Sequence, residues 1–252
     1  MPLNRRHEDI LKILTRLRSA SVSLLTERLK VSEVTIRKDL TTLEEMGYLL
    51  RTRGGAELAE DKSILRTMSV RRTENLGIKE SIARRAVELV REEDTVYIDA
   101  GSTCMVFAEC IKDLNLRVVT NSLDVLVRLA DVPGISLISL GGNYRKEAGS
   151  LIGPMAVDNL QNFQLNTCFL GATGFSERGI FSAQNTIESR LKAQVLQVSN
   201  RRVVLCDSSK YGTGAFSVFA RPKDVDILVT DQGFRDLDRF RDMGIEVLLG
   251  EE

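Results

Sequence analysis

Apolar positions change their rhythm along this chain, and the changes divide it. From Arg6 to Leu17, residues Ile10, Leu11, Ile13, Leu14 and Leu17 recur at helical spacing, and Leu24, Leu25 and Leu29 predict a second short helix. Ser32 is a good N-cap for a third helix, whose Ile36, Leu40 and Leu43 fall at i, i+4 and i+7 and so face inward. At about 100° per residue the opposite face carries Val34, Lys38 and Thr41, with Thr35 and Arg37 on its flanks. After Met46 and Gly47 the pattern turns strand-like. Tyr48, Leu50 and Thr52 lead into the Gly54-Gly55 pair, which predicts a strand and a tight turn with Arg51 and Arg53 alternating on one face.

The stretch from Glu57 to about Gly77 is polar and charged, with scattered apolar residues, and reads as a linker before a helix over Ile78 to Val90. Beyond it, short apolar runs end in polar or glycine-rich turns: TVYID before AGST, LRVVT before NSL, ISLISL before GGN. Asp99, Thr120 and Leu140 close these runs at spacings of 21 and 20 residues, with helix-like segments over Cys104 to Lys112 and Leu123 to Leu129 between them. That spacing suits strand, helix, strand, and predicts parallel β-α units rather than hairpins. TCFLGA, RVVLCD, DILVTD and IEVLLG read as further strands, and Glu188 to Val198 as a further helix.

Composition refines this picture. At 252 residues the chain exceeds one small module and leaves about 190 for a second core. Lys+Arg and Asp+Glu balance at 35 each, yet residues 1 to 56 carry eleven basic against seven acidic side chains, so the cationic surplus is local. No apolar run approaches the roughly 20 residues that span a membrane, and MPLNRRHEDI does not read as a signal peptide, so a cytoplasmic protein without membrane contact is expected. Cys104, Cys110, Cys168 and Cys206 lack metal-ligand spacing and read as reduced core thiols. His7 is the only histidine, which argues against a His-based zinc site or a Ser-His-Asp triad. Neither a metal nor a cofactor is expected.

Two sets of residues carry chemistry. The first is the outward face of the Ser32 helix with the strand after it: Ser32, Val34, Thr35, Arg37, Lys38, Thr41, Arg51 and Arg53. A small, polar and cationic face can enter a major groove, touching base edges from its first turns and phosphates from its flanks, and a basic strand and turn behind it form a wing. The second set lies at the carboxyl ends of the predicted strands, where open parallel sheets bind ligands: Asp99, Gly101, Ser102, Thr103, Asn121, Ser122, Gly141, Gly142, Gly171 and Lys210. Gly101 to Thr103 precede a helix, so backbone N–H groups, two hydroxyls and a helix N-terminus converge as in a phosphate cradle, with Lys210 as the compensating charge.

Both sets resemble a known family. Arg6 to Ala56 is similar to the N-terminal domain of DeoR-family bacterial transcriptional regulators: a basic start, Val31-Ser32, TIRKDL where TIRRDL is usual, Gly47, Leu49, Arg51 and Gly54-Gly55-Ala56. Lys38 stands where the second arginine is usual, which keeps the charge and loses the planar fork. Residues 78 to 250 resemble the family's sensor domain, itself related to ribose-5-phosphate isomerase and the CoA transferases. The carrying motifs are Asp99 to Thr103, with Ala100 for the usual serine; Thr120-Asn121-Ser122; Leu140-Gly141-Gly142 through Arg145; and Asp207 to Gly212. The resemblance implies a phosphorylated sugar as effector and adds Arg145 to the site.

The expected architecture is therefore α/β: a winged helix-turn-helix over residues 1–57, a linker over 58–77 and a mostly parallel α/β sensor over 78–252. The expected function is a DNA-binding regulator, a repressor of a carbohydrate-utilisation operon, with double-stranded operator DNA and a phosphorylated sugar as partners. Homo-oligomerisation, as a dimer or tetramer, matches two reading heads to operator symmetry. The alternative is a sugar-phosphate isomerase-like enzyme with a fused DNA-binding domain. In the related isomerases an acidic residue occupies the loop that here reads GATG at Gly171 to Gly174, and no catalytic residue is assigned. Asp99 and Asp207 are read as residues that orient backbone loops.

Overall fold

A computed structural model describes residues 5–17, 19–45, 48–58 and 74–251. Contacts divide the chain between Glu74 and Asn75 into two compact units.

In the first unit, helices α1 (Arg5–Leu17), α2 (Val22–Leu29) and α3 (Glu33–Glu45) enclose a core in which Ile10, Leu14, Leu25, Ile36, Leu40 and Leu43 are fully buried. The helical period over residues 10–17 and 36–43 puts these side chains on one face each. Ser21 caps α2 by accepting the Leu24 N–H at 3.1 Å, and α2 closes at Lys30 in the left-handed conformation, φ 53°. Three short strands, β1 (Ser19–Ser21), β2 (Leu49–Thr52) and β3 (Gly55–Leu58), form an antiparallel sheet in the order β1-β3-β2. β3 approaches β1 so closely that a Cβ on Gly55 would lie 2.2 Å from the Ala20 carbonyl oxygen, which only glycine permits.

The wing departs from expectation in two details. Leu49 is the buried residue of β2 and Leu50 is exposed, a register shift of one that exchanges the faces of the strand. Arg53 sits in the two-residue turn with Gly54, φ 109°, rather than on the strand face of Arg51. β3 runs on into the expected linker; residues 59–73, like Met46 and Gly47, lie outside the described residues.

The second unit opens with α4 (Leu76–Val87), two residues ahead of the expected start. Its centre is a seven-stranded, wholly parallel sheet. The chain lays down β4 (Thr95–Ile98), α5 (Ser102–Cys110), β5 (Leu116–Thr120), α6 (Leu123–Leu129) and β6 (Ile135–Ser139) toward one edge. A hairpin of β7 (Asn143–Arg145) and β8 (Ser150–Ile152) and helix α7 (Pro154–Leu160) then return it to β9 (Leu165–Gly171), which pairs with β4 on its other side. From β9 the chain builds toward the opposite edge. It passes through β10 (Gly174–Phe175), β11 (Phe181–Ala183), α8 (Thr186–Gln197), β12 (Ser199–Leu205), β13 (Ser217–Ala220), β14 (Ile227–Thr230), α9 (Leu237–Asp242) and β15 (Glu246–Leu249). The sheet order is β6-β5-β4-β9-β12-β14-β15, so its direction reverses between β4 and β9. In an open α/β sheet that reversal leaves a crevice at the carboxyl ends of the two strands.

Strands buried on both faces explain the continuous apolar runs of this half, Tyr97, Ile98, Phe169 and Leu170 among them. The chain also contains pairings that the parallel pattern did not announce. β10, β11 and β13 make a small antiparallel sheet, with Phe175, Phe181, Phe219, Tyr211, Phe234 and Phe240 in mutual ring contact beneath it. All four cysteines are free thiols; burial pushes Cys104 well above the ordinary thiol pKa and Cys168 up to about 11.

One polar cluster lies inside the first unit. Asp39, on the inward edge of α3, accepts from Arg6 Nε at 2.5 Å and Arg6 Nη2 at 3.1 Å, and lies 3.2 Å from His7 Nε2. The three residues clamp α3 to the start of α1. Burial works against ionisation of Asp39, but the bonds and charge of Arg6, aided by His7, outweigh it and hold the carboxyl below its usual pKa. A depressed carboxyl pKa contributes stability that is present above the unfolded-state value and is lost as pH falls through the folded one. Asp39→Asn should therefore cost about 1.5–3 kcal/mol at neutral pH, the range for hydrogen bonds to charged groups. It should also flatten the acid dependence of this unit. Hydrogen exchange on the full chain checks both: amides of α1 and α3 should exchange faster in the variant while those of β4 and β9 keep the wild-type rate.

Candidate functional site

The first site is the outer surface of α3. Ser32 caps the helix, its Oγ accepting the Thr35 N–H at 3.3 Å and lying 2.9 Å from Thr35 Oγ1. With Ile36, Leu40 and Leu43 buried, Val34 is left 64% exposed and Arg37 and Lys38 stand in solvent beside it. Arg37 makes only a surface contact, Nη2 to Glu33 Oε2 at 3.4 Å, of a kind worth little in water. Thr41 is drawn to the wing instead: it donates to the Arg37 carbonyl at 2.9 Å and accepts from Arg51 Nη1 at 3.0 Å. The Arg51 backbone N–H donates to Glu44 Oε1 at 2.8 Å, so the wing strand is fastened to the last turns of α3. Arg51 thus orients the wing against the helix, and Arg53 projects from the turn.

The second site is the crevice between β4 and β9. Asp99 follows β4 directly; its Oδ2 accepts the Gly171 N–H at 2.9 Å and also meets Lys192 Nζ. Lys192, from α8, donates in addition to the Gly171 carbonyl at 2.9 Å and lies 3.6 Å from Glu188 Oε1. Both members of the Asp99–Lys192 pair are almost wholly buried, with side chains 3% and 4% exposed. Burial opposes the ammonium, but the facing Asp99 and Glu188 carboxylates prevail and raise the Lys192 pKa above the usual lysine value. Glu188 continues the chain outward. Its Oε2 accepts from Arg145 Nη1 at 3.0 Å and Asn185 Nδ2 at 3.3 Å, while Arg145 Nη2 donates to Gln184 at 3.2 Å. Arg145, carried by β7, is thereby brought to the crevice through Glu188 and Lys192. Gly101 and Gly171 face each other across the floor; a Cβ on Gly101 would stand 3.9 Å from the Gly171 Cα.

The remaining expected residues fall around this centre in different roles. Ser102 is the first residue of α5 and half-buried, and Thr103 is buried behind it. Asn121 is buried and committed to the chain: its Oδ1 accepts from Tyr97 OH at 2.9 Å and its Nδ2 donates to the Leu151 carbonyl at 3.2 Å. Ser122 caps α6, accepting the Val125 N–H at 3.3 Å. Gly141 and Gly142 turn the chain with φ of 68° and 112°, and a Cβ on Gly142 would meet the Ile152 carbonyl oxygen at 2.7 Å. Asp207 caps the single turn that holds Lys210, and Lys210 makes no side-chain hydrogen bond to the crevice residues among the described residues.

Lys192 and Glu188 were absent from the sequence-derived site. The signal was available for Lys192, which lies on the apolar stripe of α8 with Leu191, Val195 and Leu196, where a lysine is out of place. Chemically, the crevice holds two carboxylates, each tied to a cation. Such groups are good hydrogen-bond acceptors and poor general bases, because a base must release its partner to take a proton.

Comparison with known proteins identifies both units. The model of the DeoR-like helix-turn-helix domain matches residues 6–62, and that of the DeoR C-terminal sensor domain matches residues 74–232. The chain is 32% identical to the HTH-type transcriptional repressor GlcR of Bacillus subtilis, covering 97% of this chain and 94% of that one. It is also 32% identical to the transcriptional repressor AccR of Agrobacterium fabrum, over 92% and 91%. With the L-fucose operon activator of Haemophilus influenzae it shares 30% identity, over 93% and 94%. Among solved structures, ribose 5-phosphate isomerase A of Methanocaldococcus jannaschii aligns over 55% of each chain at 18% identity and a TM-score of 0.39. With a capped helix presenting an open cationic face, a wing fastened to it and a second unit built on a parallel sheet, the two matched by the two family models, this chain belongs to the DeoR family of DNA-binding transcriptional regulators.

Proposed function

We propose that the protein represses a carbohydrate-utilisation operon in the cytoplasm and is released from its operator by a phosphorylated sugar. In this reading residues 1–57 read DNA, 58–77 link, and 78–252 sense. The observation that carries it is the switch-point crevice. Asp99, Gly101 and Gly171 meet at the carboxyl ends of β4 and β9, Gly101 precedes the N-terminus of α5, and Arg145 is tied to this centre through Glu188 and Lys192. Backbone N–H groups at a helix start with cations nearby are the usual means of holding a phosphate. Two relatives named as repressors and one named for a sugar operon favour the same reading. The effector need only bind the DNA-competent and DNA-incompetent arrangements unequally: a coupling of about 1–3 kcal/mol gives roughly 5- to 150-fold relief. The protein acts as a homo-oligomer, so that two heads engage two half-sites.

The reader is tested at Arg37 and Lys38. Arg37→Ala should weaken binding to every DNA sequence and lower the dependence on salt by about 0.9 in the log–log slope, one phosphate contact. Lys38→Ala should in addition change preference at one base pair by about 1–3 kcal/mol. Fluorescence titration of labelled operator fragments at several salt concentrations measures both, and unchanged affinity and slope in the two variants would remove α3 as the reading helix.

The sensor is tested at Lys210. Operator release is to be followed against a panel of sugar phosphates and their unphosphorylated sugars. The phosphates should act and the free sugars should not, and Lys210→Ala should abolish the response while operator affinity stays within about twofold of wild type, as expected for a residue that binds only the effector. Equal potency of a sugar and its phosphate excludes a phosphate-anchored site.

A further inference from the structure

Glu188 carries a carboxylate oxygen that accepts no hydrogen bond among the described residues. Of the four charged side chains that run from the floor to the mouth, Asp99 and Lys192 are almost wholly buried: Asp99 Oδ2 takes both the Gly171 N–H and the Lys192 ammonium, and Lys192 donates in addition to the Gly171 carbonyl. Arg145 spends Nη1 on Glu188 and Nη2 on Gln184. Glu188 differs on two counts. Its side chain is 20% exposed against 3% for Asp99, so of the two carboxylates that face Lys192 it is the one solvent reaches. Its two oxygens are also unequally used: Oε2 takes both hydrogen bonds, from Arg145 and Asn185, whereas Oε1 faces Lys192 at 3.6 Å, beyond hydrogen-bond reach. An ionised carboxylate offers about four acceptor directions, and those of Oε1 have no donor among the described residues.

Its position is fixed. Glu188 lies in the first turn of α8, and its own N–H is held by Asn185 Oδ1 at 2.9 Å. Arg145 grips the carboxylate from β7 and Lys192 stands four residues further along the same helix, so cations on two sides hold the group in place. A charged acceptor held rigid at the mouth of a crevice suits hydroxyl donors, since hydrogen bonds to an ionised acceptor are about twice as strong as neutral ones.

Resting on the reading of the crevice as a sugar-phosphate site, we propose that Glu188 is the ligand-contacting residue that recognises the sugar. Its Oε1 accepts from hydroxyls of the polyol chain, while the phosphate is bound elsewhere in the crevice, and Arg145 and Lys192 act as positioning residues. Glu188 then sets specificity for the hydroxyl pattern and leaves phosphate affinity alone.

The test is calorimetric titration of the full-length protein and its Glu188→Gln variant with inorganic phosphate, glucose 6-phosphate, fructose 6-phosphate, galactose 6-phosphate, ribose 5-phosphate and glycerol 3-phosphate. Gln keeps the size of the side chain and an acceptor for Asn185, and a wild-type melting curve verifies folding. At least one polyol phosphate should bind wild type about tenfold or more tightly than inorganic phosphate does, a difference of about 1.4 kcal/mol. In Glu188→Gln that margin should collapse while affinity for inorganic phosphate holds or rises, and Glu188→Asp should recover part of it. A margin that survives in Glu188→Gln, or wild type binding every polyol phosphate no better than inorganic phosphate, overturns the assignment of Glu188 and leaves the phosphate site standing. No binding of any phosphate, inorganic included, overturns the sugar-phosphate reading itself.

Discussion

Taking Lys192 and Asp99 out of water costs several kcal/mol per ion before any contact is made. Their attraction recovers that cost only because each is fully engaged: Asp99 with the Gly171 N–H as well as the ammonium, Lys192 with the Gly171 carbonyl as well as the carboxylate. The consequence is architectural. The sheet reverses direction between β4 and β9, and at their carboxyl ends the two strands have no further ladder to hold them. The ion pair closes that end, joining the residue after β4, the last residue of β9 and a helix from the far half of the unit. A crevice with a fixed floor follows from it, and so does the placement of Glu188 one turn before Lys192.

Much of the frame was legible in the sequence because the rules that generate it are periodic. Ile36, Leu40 and Leu43 declare the inward face of α3, and therefore its outward one. Parallel strands buried on both faces leave continuous apolar runs that end where loops begin, so the strand ends at Asp99, Thr120 and Gly171 could be read directly. The family patterns added Arg145, which no periodicity marks. What stayed hidden was short or distant. β1 is three residues long, and β2 slipped by one because Leu49 and Leu50 are equally apolar. Glu188 looks like half of an ordinary i, i+4 surface pair, and Lys192, though it falls on an apolar stripe, has nothing nearby in sequence to explain it. Only the fold reveals that Asp99, 93 residues earlier, turns the lysine inward. Asp39 is the same problem in miniature, since its partners Arg6 and His7 lie more than thirty residues away.

The expected site residues also divided by role once their neighbours were visible. Asn121 and Ser122 sit at the right edge of the sheet, but their side chains are consumed in supporting β8 and capping α6. Gly141 and Gly142 serve the turn after β6. A strand-end loop needs polar and small residues to satisfy its own backbone as well as to hold a ligand, and sequence position does not separate the two uses. Hydrogen-bond accounting does, because an atom with a partner in the chain is a costly atom to offer to a ligand.

Asp99 and Glu188 are each bonded to a cation, Asp99 to Lys192 and Glu188 to Arg145. A carboxylate bonded in this way must give up its partner before it can take a proton. The same pinning serves a switch. A ligand with equal affinity for two arrangements shifts neither, however tightly it binds. Under the proposed function, a ligand that exchanges partners with Arg145 or Glu188 alters what ties β7 to α8. Binding energy spent on such an exchange differs between the two arrangements, which is what a regulator requires.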